Sequence, residues 1–259
     1  MSNTPSLHIT FLGTGTSSGV PMIGCDCDVC RSGNPKDKRL RSSVMVQSPT
    51  TTVVVDAGPD FRQQMLAHDV RHLDAVIFTH SHKDHIAGLD DVRAYNYFQQ
   101  KPMEVYGSRY TLNRLVMEFD YAFAAQKYPG VPAINLHEVE SEPFRIGDLM
   151  ITPVSVWHHK MPVLGFRFGN FTYITDANSI EDASKEKIKG SKVLVLNGLR
   201  HEKHISHFTL EEARAIADEL DIPQAYFTHI SHQLGLHNEV NATLPASRQL
   251  AFDGLEITL

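Results

Sequence analysis

The sequence predicts an α/β protein built as a sandwich of two sheets. Strand-sized apolar runs occur in both halves of the chain, and helical spacings fall between them. No short repeat, low-complexity tract or linker separates the halves. Hydrophobic residues make up 42% of the chain and charged residues 21%, which is enough to bury a sizeable core. One domain over residues 1–259 is therefore expected, rather than two small ones.

The elements follow in order. LHITFLG (7–13), SSVMVQS (42–48) and TTVVVDAG (51–58) read as opening strands. FRQQMLAHDV (61–70) has a short helical pattern, and DAVIFTH (74–80) is a buried strand ending on a histidine. In IAGLDDVRAYNYFQQ (86–100), Leu89, Val92, Tyr95 and Phe98 or Asn96 share a helical face. MEVYG (103–107) is a strand and RYTLNRLVMEFDYAF (109–123) a helix. After the break at YPGVP, strands are expected near INLHEVE, DLMITPVSVWH, LGFRFGN and FTYITDA. KVLVLNG (192–198) and QAYFTH (224–229) are strands flanking a helix at TLEEARAIADEL (209–220), and LEITL closes the chain.

Composition excludes several classes. The net charge of −6 argues against sequence-independent nucleic-acid binding. No apolar run could span a bilayer. MSNTPSLHITFLG lacks a basic stretch followed by an apolar one, so no signal peptide is expected and the expected compartment is the cytoplasm. A reducing compartment disfavours disulfides, so the clustered Cys25, Cys27 and Cys30 point to metal. A closed zinc site needs four ligands. Asp26, Asp28, His232 and His237 are the candidates for the fourth.

The strongest signal is THSHKDH (79–85), which holds His80, His82, Asp84 and His85 where a strand ends and a helix begins. The strand end projects His80 outward and the turn lets His82 converge on the same point, while Asp84 and His85 face a second. Two metals about 3.5–4 Å apart clamp the attacking and leaving oxygens of a hydrolysis. Partners recur at other strand ends: His158 or His159, Asp176 and His229. Repeated use of one sheet edge places a site on rigid elements.

On FLGTGTSSGVP, VDAG, THSHKDH, His158, TDA and FTHISH, the chain resembles the metallo-β-lactamase-fold hydrolases, a four-layer αββα sandwich. The Cys-x-Cys-x-x-Cys insert at 24–31 and the THISHQ segment carry a closer likeness to the phosphoribosyl cyclic phosphate phosphodiesterases, the PhnP-like branch. That resemblance implies one metal on His80, His82 and His158, and another on Asp84, His85 and His229. Asp176 would bridge them, and Asp56 would support the first ligand loop from behind. It implies two active-site divalent ions (zinc or manganese, with iron possible), one structural zinc on Cys25, Cys27, Cys30 and His232, and a homodimer. His207 is assigned to the substrate phosphate and the leaving group; with Asp84 it forms the catalytic set.

The expected function is hydrolysis of a small, cyclic phosphodiester by a metal-bridging hydroxide. A ribonuclease Z-like role fits less well, since residues 109–148 are net acidic and tRNA binding needs phosphate neutralisation. A role like that of pyrroloquinoline quinone synthesis proteins, without hydrolysis, is the third alternative. The basic stretch RSGNPKDKRLR (31–41) is either a solvated loop or a hold for an anionic substrate.

Overall fold

The computed structural model describes residues 6–259. The expectation of no signal peptide rests partly on residues 1–5, which lie outside the described residues. Among the described residues no helix is long and apolar enough to cross a membrane.

Six strands begin the first sheet: β1 (His8–Gly13), β2 (Ser43–Gln47), β3 (Thr52–Val55), β4 (Ala75–Ile77), β5 (Met103–Gly107) and β6 (Ile134–Glu138). Seven form the second: β7 (Phe144–Ile146), β8 (Leu149–His158), β9 (Met161–Phe168), β10 (Phe171–Tyr173), β11 (Val193–Asn197), β12 (Gln224–Thr228) and β13 (Arg248–Leu250). A last strand, β14 (Glu256–Thr258), returns to the first sheet beside β1, giving the orders β14-β1-β2-β3-β4-β5-β6 and β13-β12-β11-β10-β9-β8-β7. β3 to β6 run parallel, as do β10 to β13; the other pairings are antiparallel. Both sheets are thus mixed.

Strand side chains alternate between faces, and here both faces of each sheet are covered. Val44, Val46, Val53 and Val55 meet Phe166, Phe168, Tyr173 and Val195 between the sheets. Met45, Val54 and Val76 point the other way, onto Phe61, Met65, Tyr95 and Leu115. Those residues belong to α2 (Phe61–Ala67), α4 (Arg93–Gln99) and α5 (Arg109–Glu118); the short α1 (Asp28–Arg31) precedes α2 and the short α3 (Lys83–Ile86) precedes α4. The outer face of the second sheet, with Leu194, Leu196 and Phe227, packs on Ile188, Ala213, Ala217 and Val240. They come from α7 (Asp182–Ile188), α8 (Leu210–Glu219) and α9 (His237–Ala242), after the one-turn α6 (Asp120–Phe123). Helix, sheet, sheet, helix is the four-layer order. Double-sided burial explains why these strands read as continuous apolar runs.

Several boundaries differ from the sequence reading. The helix expected at 86–100 is two: α3 begins at Lys83, and a 3-10 turn at Leu89–Val92 precedes α4. The chain must bend at Gly88, where a Cβ would lie 2.0 Å from the Gly58 carbonyl oxygen. The helix expected at 109–123 breaks at Phe119. α7, α9, β7 and β13 were not anticipated; they span three to seven residues and carry little periodic signal.

Candidate metal centre

The parallel strands of both sheets deliver their C-terminal ends to one edge, where ligands bind in open α/β sheets. Three residues just beyond those strands adopt left-handed backbone: Asp56 (φ 66°), Asp176 (φ 57°) and His229 (φ 55°). Such conformations are costly outside glycine and concentrate at functional sites.

Asp56 organises the THSHKDH turn. Its carboxylate accepts from Thr79 N and Thr79 Oγ1, both at 2.8 Å, and from His85 Nδ1 at 2.7 Å. With that Nδ1–H engaged, His85 presents Nε2 to the site. His158 Nδ1 similarly donates to Ser206 O at 2.7 Å. His82 occupies the N-cap position of α3 with its side chain free of the helix, and Asp84 and His85 occupy the first turn.

The donor atoms fall into two groups sharing Asp176: His80, His82, His158 and Asp176, then Asp84, His85, Asp176 and His229. Within each group they lie within 4.8 Å of one another. Asp176 Oδ2 is 3.6 Å from His80 Nε2 and 3.3 Å from His85 Nε2, and Oδ1 is 2.9 Å from His229 Nδ1. These three imidazole nitrogens are buried yet hydrogen-bond to nothing. Orphaned donors crowding one carboxylate fit metal coordination, since buried polar atoms are otherwise almost always partnered.

Electrostatics agree. Burial pulls His85 down, but Asp176, Asp84 and Asp56 outweigh it and hold the ring well above its ordinary value. Burial pushes Asp176 up, but His229 and His85 outweigh it and hold that carboxyl well below the usual range. Carboxylates sealed among imidazoles leave a demand for positive charge that divalent cations meet.

The structure brings together each of the seven active-site ligands named from sequence. Of the two adjacent histidines, His158 joins the cluster. His159 is exposed, with φ 57° and its amide on Asn178 Oδ1. His207 lies between the two groups, its ring 4.6 Å from His158 of the first and 4.8 Å from His229 of the second. Its Nδ1 is buried without a partner, and burial pushes its pKa to about 3. His201 and His204 are exposed, and the His204 ring lies 5.1 Å from that of His207.

Sequence reading missed Asn197. It ends β11, fully buried, and its amide pairs with both the N–H and the carbonyl of Ala177 beside Asp176. The signal was present: like the ligands, it is a polar residue ending an apolar strand.

Cys25, Cys27, Cys30 and His232 form a second kind of cluster, with donors within 4.8 Å. His232 Nδ1 sits 3.4 Å from Cys25 Sγ and 3.3 Å from Cys27 Sγ. His232 holds the Cys27 thiol down at about 6, favouring the thiolate a metal needs. The loop after β1 reaches His232 by pairing Thr14 and Thr16 with Ile230. Of the other candidates, His237 instead accepts from Arg39 Nη2 at 3.0 Å and Asp26 pairs with Arg31.

The cations of the basic stretch each have a partner within the protein. Arg39 is buried against Thr14 Oγ1 and Ala251 O, Lys38 reaches Cys30 O, and Arg41 pairs with Asp60. Lys36 lies over the Phe252 ring, and Arg31 is the one in the surface pair with Asp26.

Residues 51–230 match the family model described as a beta-lactamase superfamily domain. The chain belongs to the beta-lactamase superfamily. Its fold is the metallo-β-lactamase fold of metal-dependent hydrolases. A crystal structure described as a new diphosphatase from the PhnP family superposes with a TM-score of 0.91 at 42% identity, covering 97% of each chain. Zinc-bound PqqB from Methylobacterium extorquens shares the fold (TM-score 0.75, 22% identity, 97% of this chain and 100% of that one). An octanoyltransferase of Porphyromonas gingivalis is 38% identical over 253 residues, 96% of this superfamily member but 51% of the relative. The chain thus spans about half the length of that curated relative.

Proposed function

We propose that this chain is a dinuclear metal-dependent phosphodiesterase acting as one domain on a small phosphodiester, including cyclic ones. The observation that carries the reading is the pair of donor groups joined through Asp176 with the unpartnered Nδ1 of His207 above them. His80, His82 and His158 would hold one cation, Asp84, His85 and His229 the other, and Asp176 both. When bound, such a pair polarises phosphoryl oxygens and brings the pKa of water toward about 7.

The chain's own residues do the rest. Asp56 on His85, Thr79 on His80 and Ser206 on His158 fix the tautomers and ring planes of the ligands. His207, neutral through burial, offers Nδ1–H to a phosphoryl oxygen or the departing alkoxide. An arriving anionic phosphate raises the affinity of that ring for its proton. Cys25, Cys27, Cys30 and His232 would hold a structural zinc. The diphosphatase likeness supports phosphoryl chemistry at this site.

The test is a substrate panel with metal analysis: bis-p-nitrophenyl phosphate, a ribosyl cyclic phosphate, 2′,3′-cyclic nucleotides, a tRNA precursor and an octanoyl ester. Diester cleavage is expected, and His207→Ala lowers kcat by about 100-fold or more at unchanged metal content. Full turnover in that variant removes His207 from the mechanism. Cleavage of the tRNA precursor alone, or of the ester alone, overturns the reading. A homodimer, checked by sedimentation, and a cytoplasmic location go with this proposal.

A further inference from the structure

Beside the exposed His82, the surface opens into a cavity of about 640 Å³ whose inner wall is His82 and His158. It therefore leads directly to the first donor group. Its volume falls in the range of small-molecule sites, about 300–1,000 Å³. Three segments complete the lining: Tyr110 in the first turn of α5, the turn His159–Pro162 between β8 and β9, and Ile205–Ser206 just before His207.

Folding does not account for two features of this lining. Tyr110 is 58% exposed and Ile205 68% exposed, so large apolar groups face water beside a polar centre. Such groups mark binding surfaces when they gather at a cleft. Lys160 is exposed, and the lysine ion pairs among the described residues involve Lys83, Lys101, Lys185 and Lys189 instead. Its turn is held in place, because His159 N donates to Asn178 Oδ1 at 2.6 Å. A cation on an anchored turn and an aromatic ring therefore line the same cavity.

We propose that this cavity recognises the non-reacting part of the substrate, with Tyr110 stacking an aromatic ring and Lys160 pairing a second anionic group. The substrate class is a nucleotide-type phosphodiester rather than a bare sugar diester. This rests on the phosphodiesterase reading for the reaction, but recognition is measurable without turnover. A tyrosine face gains from a planar ring of any base, and a lysine tip gains from a second phosphate at the rim.

The experiment is calorimetric binding of three anions to the metal-loaded protein: AMP, ribose 5-phosphate and adenosine 3′,5′-bisphosphate. AMP should bind about tenfold more tightly than ribose 5-phosphate. Tyr110→Ala should collapse that ratio, and Tyr110→Phe should keep most of it. The bisphosphate should gain about threefold over AMP at low salt; Lys160→Ala should remove the gain and Lys160→Arg retain it. Equal binding of AMP and ribose 5-phosphate by the wild type overturns the proposal, as does an unchanged ratio in Tyr110→Ala. Diester turnover with no ring preference defeats the recognition site alone. A ring preference without diester turnover defeats the phosphodiesterase reading and leaves the recognition site standing.

Discussion

Asp56 shows how one buried residue governs the centre without being among its donor groups. Its left-handed backbone turns the carboxylate back under the histidine turn, where it takes three hydrogen bonds. Asp56→Asn keeps the shape but weakens the acceptor for His85, and metal affinity should fall by about 10–100-fold. Asp56→Ala also leaves Thr79 N and His85 Nδ1 unpaired in the interior, and should destabilise by about 3 kcal/mol or more. Metal titration and urea unfolding of both variants check this; equal effects on metal binding and stability would contradict it. VDAG marked Asp56 in the sequence, but its contacts to Thr79 and His85 span more than twenty residues and needed the fold.

Among the elements, the turn after β3 and helix α3 are built as one piece. Ala57 N donates to His85 O at 2.8 Å, and a Cβ on Gly58 would sit 2.0 Å from Asp84 O. Gly58→Ala must therefore push α3 away, lowering metal content at the Asp84 and His85 group and the Tm together. Gly33, with nothing within 4 Å of its Cβ position, is the control for the same change. The cysteine loop is tied to the site in a comparable way. Ser231 N donates to Leu199 O at 3.0 Å and Arg200 Nη1 to Gln233 Oε1 at 2.6 Å, so the His232 segment braces the loop bearing His207. Cys27→Ser should lose one zinc per chain and lower both Tm and kcat, although Cys27 itself is in neither active-site donor group. An unchanged metal count would sink the structural-zinc assignment.

At the scale of the whole molecule, a buried polar chain joins the cysteine loop to the C-terminal segment. Thr14 Oγ1 donates to Asp253 Oδ1 and accepts from Arg39, which also donates to His237. Burial raises Asp253 to about 6, so the folded state keeps a proton there that the unfolded chain, at 3.8, releases. This contributes stability as pH falls from about 6 toward 3.8. Burial lowers His237 from 6.5 to about 4, which removes stability as pH falls through the same window. The two slopes oppose each other. Asp253→Asn leaves only the second, so between pH 6 and 4 the variant should lose about 2–3 kcal/mol more than wild type in urea unfolding. Parallel stability profiles would show that Asp253 carries no such proton.

The two-sheet architecture was legible in the sequence, and so were the residues that the fold gathers into donor groups. Apolar runs covered on both faces are local signals, and so is a polar residue ending such a run, as at His80, Asp176 and His229. Sequence alone could not choose between His158 and His159, because that choice depends on which ring the β8 end turns inward. It also could not show that Arg39 is buried and that Lys38 folds back onto Cys30 O, since a run of cations reads the same whether its partners are water or backbone carbonyls. The grouping of donors around Asp176 is likewise a property of two sheets stacked face to face, whose strand ends come together at one edge of the sandwich. Chemistry is written residue by residue, whereas distance and burial exist only after the chain has closed on itself.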